Sequence, residues 1–161
     1  MKWVRVFAWM SFAGYLVVLL TLLYVSGRFG SFTDYSFAEK IRYASNFVPL
    51  ATIREYITAY QNETLNLSII VRNLGGNLIA FTPFGFFLPL LFRRLRPLMP
   101  FLLTFIAILF VIESVQLLTM RGSFDVDDFI LNIPSALMGW GLYQLGEKLV
   151  KQSRWELKTS G

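Results

Sequence analysis

The chain has 161 residues, of which 55% are hydrophobic and only 16% are charged, whereas an ordinary soluble domain carries about 25% charged residues. It contains no cysteine and no histidine, which excludes disulfides, thiol nucleophiles, Cys/His zinc sites and serine–histidine triads. Any chemistry therefore falls to carboxylates, amides, hydroxyls and arginines. The net charge of +5, in so hydrophobic a chain, indicates membrane topology and not nucleic-acid binding.

Four apolar runs are long enough to cross a bilayer. They cover residues 6–25, 73–92, 97–120 and 129–146. We therefore predict an all-α fold: a polytopic membrane protein with four transmembrane helices in a single domain, residues 1–161. The predicted spans are about 5–26, 69–92, 97–119 and 128–147.

Details of the runs refine this prediction. The first uncharged run, residues 6–25, exceeds the 7–15 residues of a signal-peptide core, which favours an uncleaved helix over a signal peptide. Pro83 interrupts the second run and predicts a kink there. Ser135 and Gly139, with Gly141 nearby, are small residues that allow close helix packing.

A polar segment, residues 27–66, joins the first two spans, and a polar tail, residues 148–161, follows the last. Within the segment, apolar residues recur at helical spacing: Leu50, Ile53, Ile57 and Tyr60. This pattern predicts an interfacial amphipathic helix in the first extracytoplasmic loop. A surface helix packed on the loop itself fits the pattern equally well.

The distribution of charge gives an orientation. With four spans, one side holds nine basic and two acidic residues, and the other holds six basic and eight acidic residues. The positive-inside rule then places both termini in the cytoplasm; the family resemblance described below implies a bacterial cell membrane. The polar segment and the turn around Gly122 are expected to face outward.

Polar side chains on three predicted helices lie at one depth. Glu113 is 17 positions after Arg96, about 26 Å along a helix, so it lies near the outward surface with Gln116. Two pairs spaced four residues apart occupy the same level on other helices. These pairs are Asn73 with Asn77, and Asp128 with Asn132.

Several roles fit this constellation. The amides could serve only as hydrogen-bonding contacts between helices, Asp127 or Asp128 could cap the fourth helix, and Arg121 could neutralise Glu113. Four acids in one place could instead bind a cation, with Asp125 and Asp128 as candidate metal ligands. Arg72 and Arg121 could hold a phosphate or carboxylate.

The same residues carry a resemblance to a known family, the VanZ-like membrane proteins. Matching elements appear in order from about residue 46 to residue 145. They include Asn46 to Leu50, Asn73 to Asn77, Phe81, Pro83 to Phe86, Pro89, Glu113, Gln116, Arg121, Asp125, Asp127, Asp128, Asn132 and Gly139. Ser135 departs from the family pattern, which has glycine there, and the first helix matches only in being hydrophobic.

The resemblance implies an integral membrane protein linked to resistance to teicoplanin and related lipid-tailed glycopeptides. The leading interpretation is non-enzymatic: an outward-facing polar pocket, formed by the constellation with Asn46, binds or shields a cell-envelope component. Expected partners are membrane lipids and a lipoteichoic-acid-like polymer, a lipid-linked wall precursor or the lipoglycopeptide itself. No cofactor and no nucleic acid are expected.

Two alternatives remain open. The first is a membrane hydrolase or transferase that acts on a lipid-linked phosphate or wall precursor, with Glu113 as general acid and base. The second is a small transporter, in which intramembrane acids are also common.

Overall fold

The computed structural model describes residues 2–25 and 36–159, and the protein is 83% helical. Eight α-helices follow one another along the described chain. They are α1 (Lys2–Val25), α2 (Phe37–Tyr43), α3 (Ala51–Gln61), α4 (Leu67–Ile70), α5 (Gly76–Ala80), α6 (Thr82–Leu91), α7 (Leu98–Leu118) and α8 (Val126–Thr159). A π-helical turn (Val71–Gly75) joins α4 to α5, and a 3-10 turn (Arg93–Leu95) precedes α7. Two short strands, β1 (Ser45–Asn46) and β2 (Phe124–Asp125), pair in parallel.

Three helical stretches are long and apolar enough to span a membrane: Lys2–Tyr24, Leu67–Leu91 and Leu98–Leu118. They coincide with the first three predicted spans. The region of the fourth predicted span lies within α8, but α8 does not reach the same hydropathy. Its amides, its glycines and Pro134 lower the mean hydropathy, so the fourth span remains a prediction.

The bundle has two ends of different character. We call the one with Arg93, Arg94 and Arg96 the basic end, and the one with Glu113 and Asp125 to Asp128 the acidic end. Helix α1 reaches both ends. Trp9 packs against Phe92 at the basic end, with ring centroids 5.5 Å apart. At the other end, the Tyr24 hydroxyl donates to the carbonyl of Ile112 over 3.3 Å.

Helix α8 also extends from one end to the other. Its first turn holds Asp127 and Asp128. Further along, the Trp140 indole N–H and the Gln144 amide donate to the carbonyl of Arg96, over 3.0 and 2.6 Å. The Arg96 guanidinium forms an ion pair with Glu147 at 2.8 Å. Helix α8 is therefore antiparallel to α7 and matches its length before continuing into the tail.

Aromatic side chains fill the core between α1, α6, α7 and α8. Phe81, Phe101 and Phe105 are almost completely buried. Leu109 is buried on the face of α7 that also carries Phe101 and Phe105. The Phe81 and Phe105 rings meet edge to face, with centroids 5.6 Å apart. Such pairs stabilise a core beyond the area they bury.

The second span is interrupted where Pro83 predicts a kink. Helix α5 ends at Ala80 and α6 begins at Thr82, with Pro83 in its first turn. Neighbouring side chains supply hydrogen bonds at the break: the Tyr15 hydroxyl donates to the carbonyl of Ala80 over 2.8 Å, and the amide of Phe81 donates to Ser135 Oγ over 3.2 Å. The prediction of a break is confirmed, and the surrounding helices compensate for it.

Helices α6 and α8 approach at backbone distance. A Cβ atom on Gly85 would lie 1.9 Å from the carbonyl oxygen of Ala136, and one on Gly139 would lie 1.9 Å from that of Thr82. The predicted close packing is confirmed at Gly139 and at the fully buried Ser135. It does not extend to Gly141, where an added Cβ would meet nothing within 4 Å.

The segment between the first two spans folds over the acidic end. Ser36 and Glu39 form a capping box at the start of α2. Hydrogen bonds from the Ser36 hydroxyl and amide hold the pKa of Glu39 below its usual range. Helix α3 covers most of the stretch where an interfacial amphipathic helix is predicted, with Ile53 half-buried and Ile57 and Tyr60 exposed. Its contact with a membrane remains a proposal.

Candidate functional site: a buried acidic cluster

The parallel strands bring the loop to the acidic residues. In their register, Asn46 pairs with Asp125 and Ser45 pairs with Phe124. The amide of Phe124 also donates to the carbonyl of Ala44 over 2.8 Å. This backbone pairing places residues distant in sequence side by side.

Asp125 acts as a hydrogen-bond acceptor for the loop. Its Oδ1 accepts from Asn46 Nδ2 over 3.2 Å and from the amide of Asp127 over 2.9 Å, and its Oδ2 accepts from the Thr52 hydroxyl. Both oxygens are thus engaged with protein donors, which does not favour Asp125 as a metal ligand. In the described part of the chain, no three or more acidic side chains are arranged to hold a metal ion.

Asp127 caps helix α3 and not its own helix. It is only 1% exposed, and its two oxygens accept the main-chain N–H groups of Leu50 and Ile53. Leu50, which precedes α3, has a left-handed backbone with φ of 65°. Asp127 therefore does not provide the predicted cap of the fourth helix; it caps an α-helix more than seventy residues away in sequence.

Glu113, Asp128 and Asn77 connect three helices. Asn77 Nδ2 donates to Asp128 Oδ1 over 2.9 Å, and Glu113 Oε2 accepts the amide of Asp125 over 3.4 Å. The carboxyl groups of Glu113 and Asp128 are neighbours in the cluster.

Asn132 lies one turn beyond Asp128 on the same face of α8. Its side chain is 3% exposed, and its Oδ1 has no hydrogen-bond partner among the described residues. A buried carbonyl oxygen without a donor is costly. Asn132 is therefore the member of the cluster whose hydrogen-bonding capacity is least used.

Four predicted site residues lie outside the cluster. Asn73 donates to the hydroxyl of Tyr56 over 3.0 Å, and Gln116 donates to the carbonyl of Leu23 over 3.1 Å. Arg72 and Arg121 are exposed, and neither has an ion pair within residues 2–25 and 36–159. Arg121 forms no ion pair with Glu113, which accepts the main-chain amide of Asp125 instead.

Two hydroxyl residues that bind predicted site residues were not themselves predicted from the sequence. Thr52 donates to Asp125, and Tyr56 accepts from Asn73. Both lie on α3, within a stretch whose pattern predicted an amphipathic helix. A hydroxyl in such a helix gives no sequence signal that connects it to an acid on another element, so only the folded arrangement identifies them.

Fold and site together define a class of protein: a helical membrane protein whose loop is fastened to its helices by a buried acidic cluster at one end. The VanZ/LLP1 family model matches residues 12–147, which include the whole cluster and most of α1. The chain belongs to this family. No curated protein and no solved structure gives a match.

Proposed function

We propose that the protein binds a lipid-tailed component of the bacterial cell envelope at its acidic end, and that this binding contributes to tolerance of lipid-tailed glycopeptides such as teicoplanin. In this proposal the acidic end faces outward. The component is a lipid-linked wall precursor, a lipoteichoic-acid-like polymer or the lipid tail of the drug itself. Membership of the VanZ/LLP1 family supports the proposal.

The proposal rests on one observation: the acidic cluster holds the loop in place through hydrogen bonds. Asp125 and Asp127 are buried and accept hydrogen bonds from the loop. They hold exposed apolar side chains, including Phe47 and Val48, next to the ends of the spans. We therefore place the binding surface on residues 46–62, which the cluster supports, and not within the cluster. Exposed apolar surface of this kind is typical of an interaction site.

The direct test is expression in a teicoplanin-sensitive Gram-positive host. Minimum inhibitory concentrations of teicoplanin and vancomycin are measured with matched membrane levels of the protein. We expect a rise of several dilution steps for teicoplanin and little change for vancomycin, because only teicoplanin has a lipid tail that a membrane site can engage. An equal shift for both drugs, or no shift for either, would contradict the proposal.

The enzymatic alternative is favoured by one observation: the Glu113 carboxyl group is buried at 3% exposure and has the Asp128 carboxyl group as a neighbour. A buried carboxyl group is suited to transferring a proton to or from a lipid-linked phosphate ester. Glu113→Gln keeps the size of the side chain but removes its proton-transfer chemistry. Tolerance that is lost in a stable Glu113→Gln protein supports the enzyme, whereas retained tolerance supports the binding protein. Glu63→Gln, at an exposed position, is the matched control.

A further inference from the structure

A groove separate from the acidic cluster lies between the loop and the acidic end of α7. Its volume is about 440 Å³, within the range of about 300–1,000 Å³ found for ligand pockets. Helix α7 contributes one face, with Phe110, Ser114 and Leu117. These residues are spaced by four and three positions and therefore lie on one side of the helix.

Most of the side chains that line the groove are apolar. Phe124 of β2 stands between two other rings: its centroid is 5.7 Å from that of Phe110 and 5.5 Å from that of Phe47. Phe110 and Phe47 remain 54% and 67% exposed. Phe110 belongs to a helix that is apolar enough to span a membrane, so the groove is continuous with a surface of the kind that faces lipid.

One charged side chain lines the groove. Arg42, near the end of α2, is exposed and has no ion pair within residues 2–25 and 36–159. Glu39, one turn earlier, is engaged with Ser36. The groove has mostly apolar walls and one arginine that forms no ion pair with the described residues. These features fit a ligand that has a hydrocarbon chain and an anionic group.

The position of the groove indicates where such a ligand resides. Phe110 is 14 positions after Arg96, at about 21 Å along the helix, and Leu117 is about 10 Å further. The groove therefore covers the last two turns of the span. At this level a bilayer changes from hydrocarbon to headgroups, about 30 Å from the opposite boundary.

We propose that this groove binds one anionic glycerophospholipid, with its acyl chain along Phe110 and Phe124 and its headgroup phosphate beside Arg42. Ser114 also lines the groove, and in this proposal its hydroxyl donates to an ester oxygen of the lipid. The proposal goes beyond the function proposed above, because the ligand is a resident membrane lipid and the site does not depend on any drug or wall polymer.

The test uses the purified full-length protein in detergent micelles that contain equal amounts of phosphatidylglycerol and phosphatidylcholine. Native mass spectrometry counts the bound lipids, and a phosphatidylglycerol with a photoreactive acyl chain maps the contact by peptide sequencing. The wild-type protein should retain phosphatidylglycerol in preference to phosphatidylcholine. Cross-links should fall on the last two turns of α7 and on the β2 peptide.

Two variants separate the headgroup from the chain. Arg42→Gln should reduce the preference for phosphatidylglycerol by up to about fivefold, the range of an exposed charge pair. Ser114→Phe fills the groove and should reduce the binding of both lipids. Arg54→Gln removes an exposed arginine that does not line the groove and should leave the preference unchanged. Helical content and elution volume check that each variant is folded.

Several results would overturn the proposal. These are an unchanged preference in Arg42→Gln, undiminished lipid binding in Ser114→Phe, and cross-links confined to other helices. Protein–protein cross-links at Phe110, from residues 26–35 or from a second copy of the chain, would show that protein occupies the groove. Failure of teicoplanin tolerance would leave these lipid measurements unaffected, so the two proposals can fail separately.

Discussion

Asp125 and Asp127 stand two residues apart, and their carboxylates accept hydrogen bonds from different residues of the loop. Asp125 binds the side chains of Asn46 and Thr52, and Asp127 binds main-chain N–H groups at the start of α3. Asn46 in turn accepts the amide of Val48 over 3.1 Å, which fixes the turn into α3. The two carboxylates hold the loop in place, because charge-assisted hydrogen bonds are stronger than neutral ones.

The cap made by Asp127 can be tested by Asp127→Asn. The new amide group must turn an N–H toward either Leu50 or Ile53, which leaves one main-chain donor unsatisfied at a buried site. We expect a loss of about 1–3 kcal/mol in the local stability of α3, measured as faster amide hydrogen exchange in its first turn. Glu55→Gln, exposed on the same helix, should not change the exchange. Equal exchange in wild type and Asp127→Asn would show that the cap contributes nothing.

Helical rise gives the depth of a residue along the bundle but not the direction of its side chain. It predicts that Glu113, Asn77 and Asp128 lie at one level, and the Asn77 amide donates to Asp128. Gln116 lies three residues after Glu113, which corresponds to a rotation of about 60° around the helix. That rotation is enough to turn Gln116 toward α1, where it binds Leu23. The sequence contains the residue spacing but not the position of the neighbouring helix.

At the scale of elements, α6 and α8 pack together at backbone distance. It depends on Gly85 and Gly139, which lie against carbonyl oxygens of the opposite helix. The small-residue spacing around Gly139 indicated close packing, but the sequence did not indicate which helix would be the partner. The two-residue strands were not predicted at all, because an alternation of side chains cannot be recognised in two residues. Their pairing nevertheless determines where the loop sits.

Adding a methyl group at this contact should separate α6 from α8. Gly85→Ala and Gly139→Ala should each cost about 1–3 kcal/mol, the range for overpacking a filled core. A lower midpoint of thermal or denaturant unfolding in detergent would measure this loss. Gly141→Ala is the matched control on the same helix, because its Cβ would meet nothing within 4 Å. It should be neutral or slightly stabilising, since alanine is favoured over glycine in a helix. Equal midpoints for Gly139→Ala and Gly141→Ala would contradict the packing argument.

In the molecule as a whole, basic and acidic side chains are concentrated at opposite ends of the bundle. Arg93, Arg94 and Arg96 lie at one end, and the buried carboxylates lie at the other. Hydropathy alone identifies three spans, because α8 carries amides, glycines and Pro134. Its contacts with Asn77 at one end and with Arg96 at the other indicate that it covers the same distance as α7. These contacts support the predicted fourth span in a way that composition cannot.

A fourth span places Ser123 and Ser153 on opposite sides of the membrane. Because the chain has no cysteine, Ser123→Cys and Ser153→Cys each give a single reactive thiol with little change in size. A cysteine at the neighbouring Gly122 would be less suitable, because its Cβ would lie 3.0 Å from Gln116. With both termini in the cytoplasm, an impermeant thiol reagent should label residue 123 in intact cells.

Residue 153 should react only after the cells are opened. Asn62→Cys, at an exposed position beyond α3, should behave like residue 123 and provides an independent marker for the same side. Labelling of residues 123 and 153 from one side would mean that α8 does not cross. The opposite pattern, with only residue 153 labelled in intact cells, would show that the protein has the opposite orientation in the membrane. It would place the acidic cluster and its loop in the cytoplasm, where they could not meet an external glycopeptide.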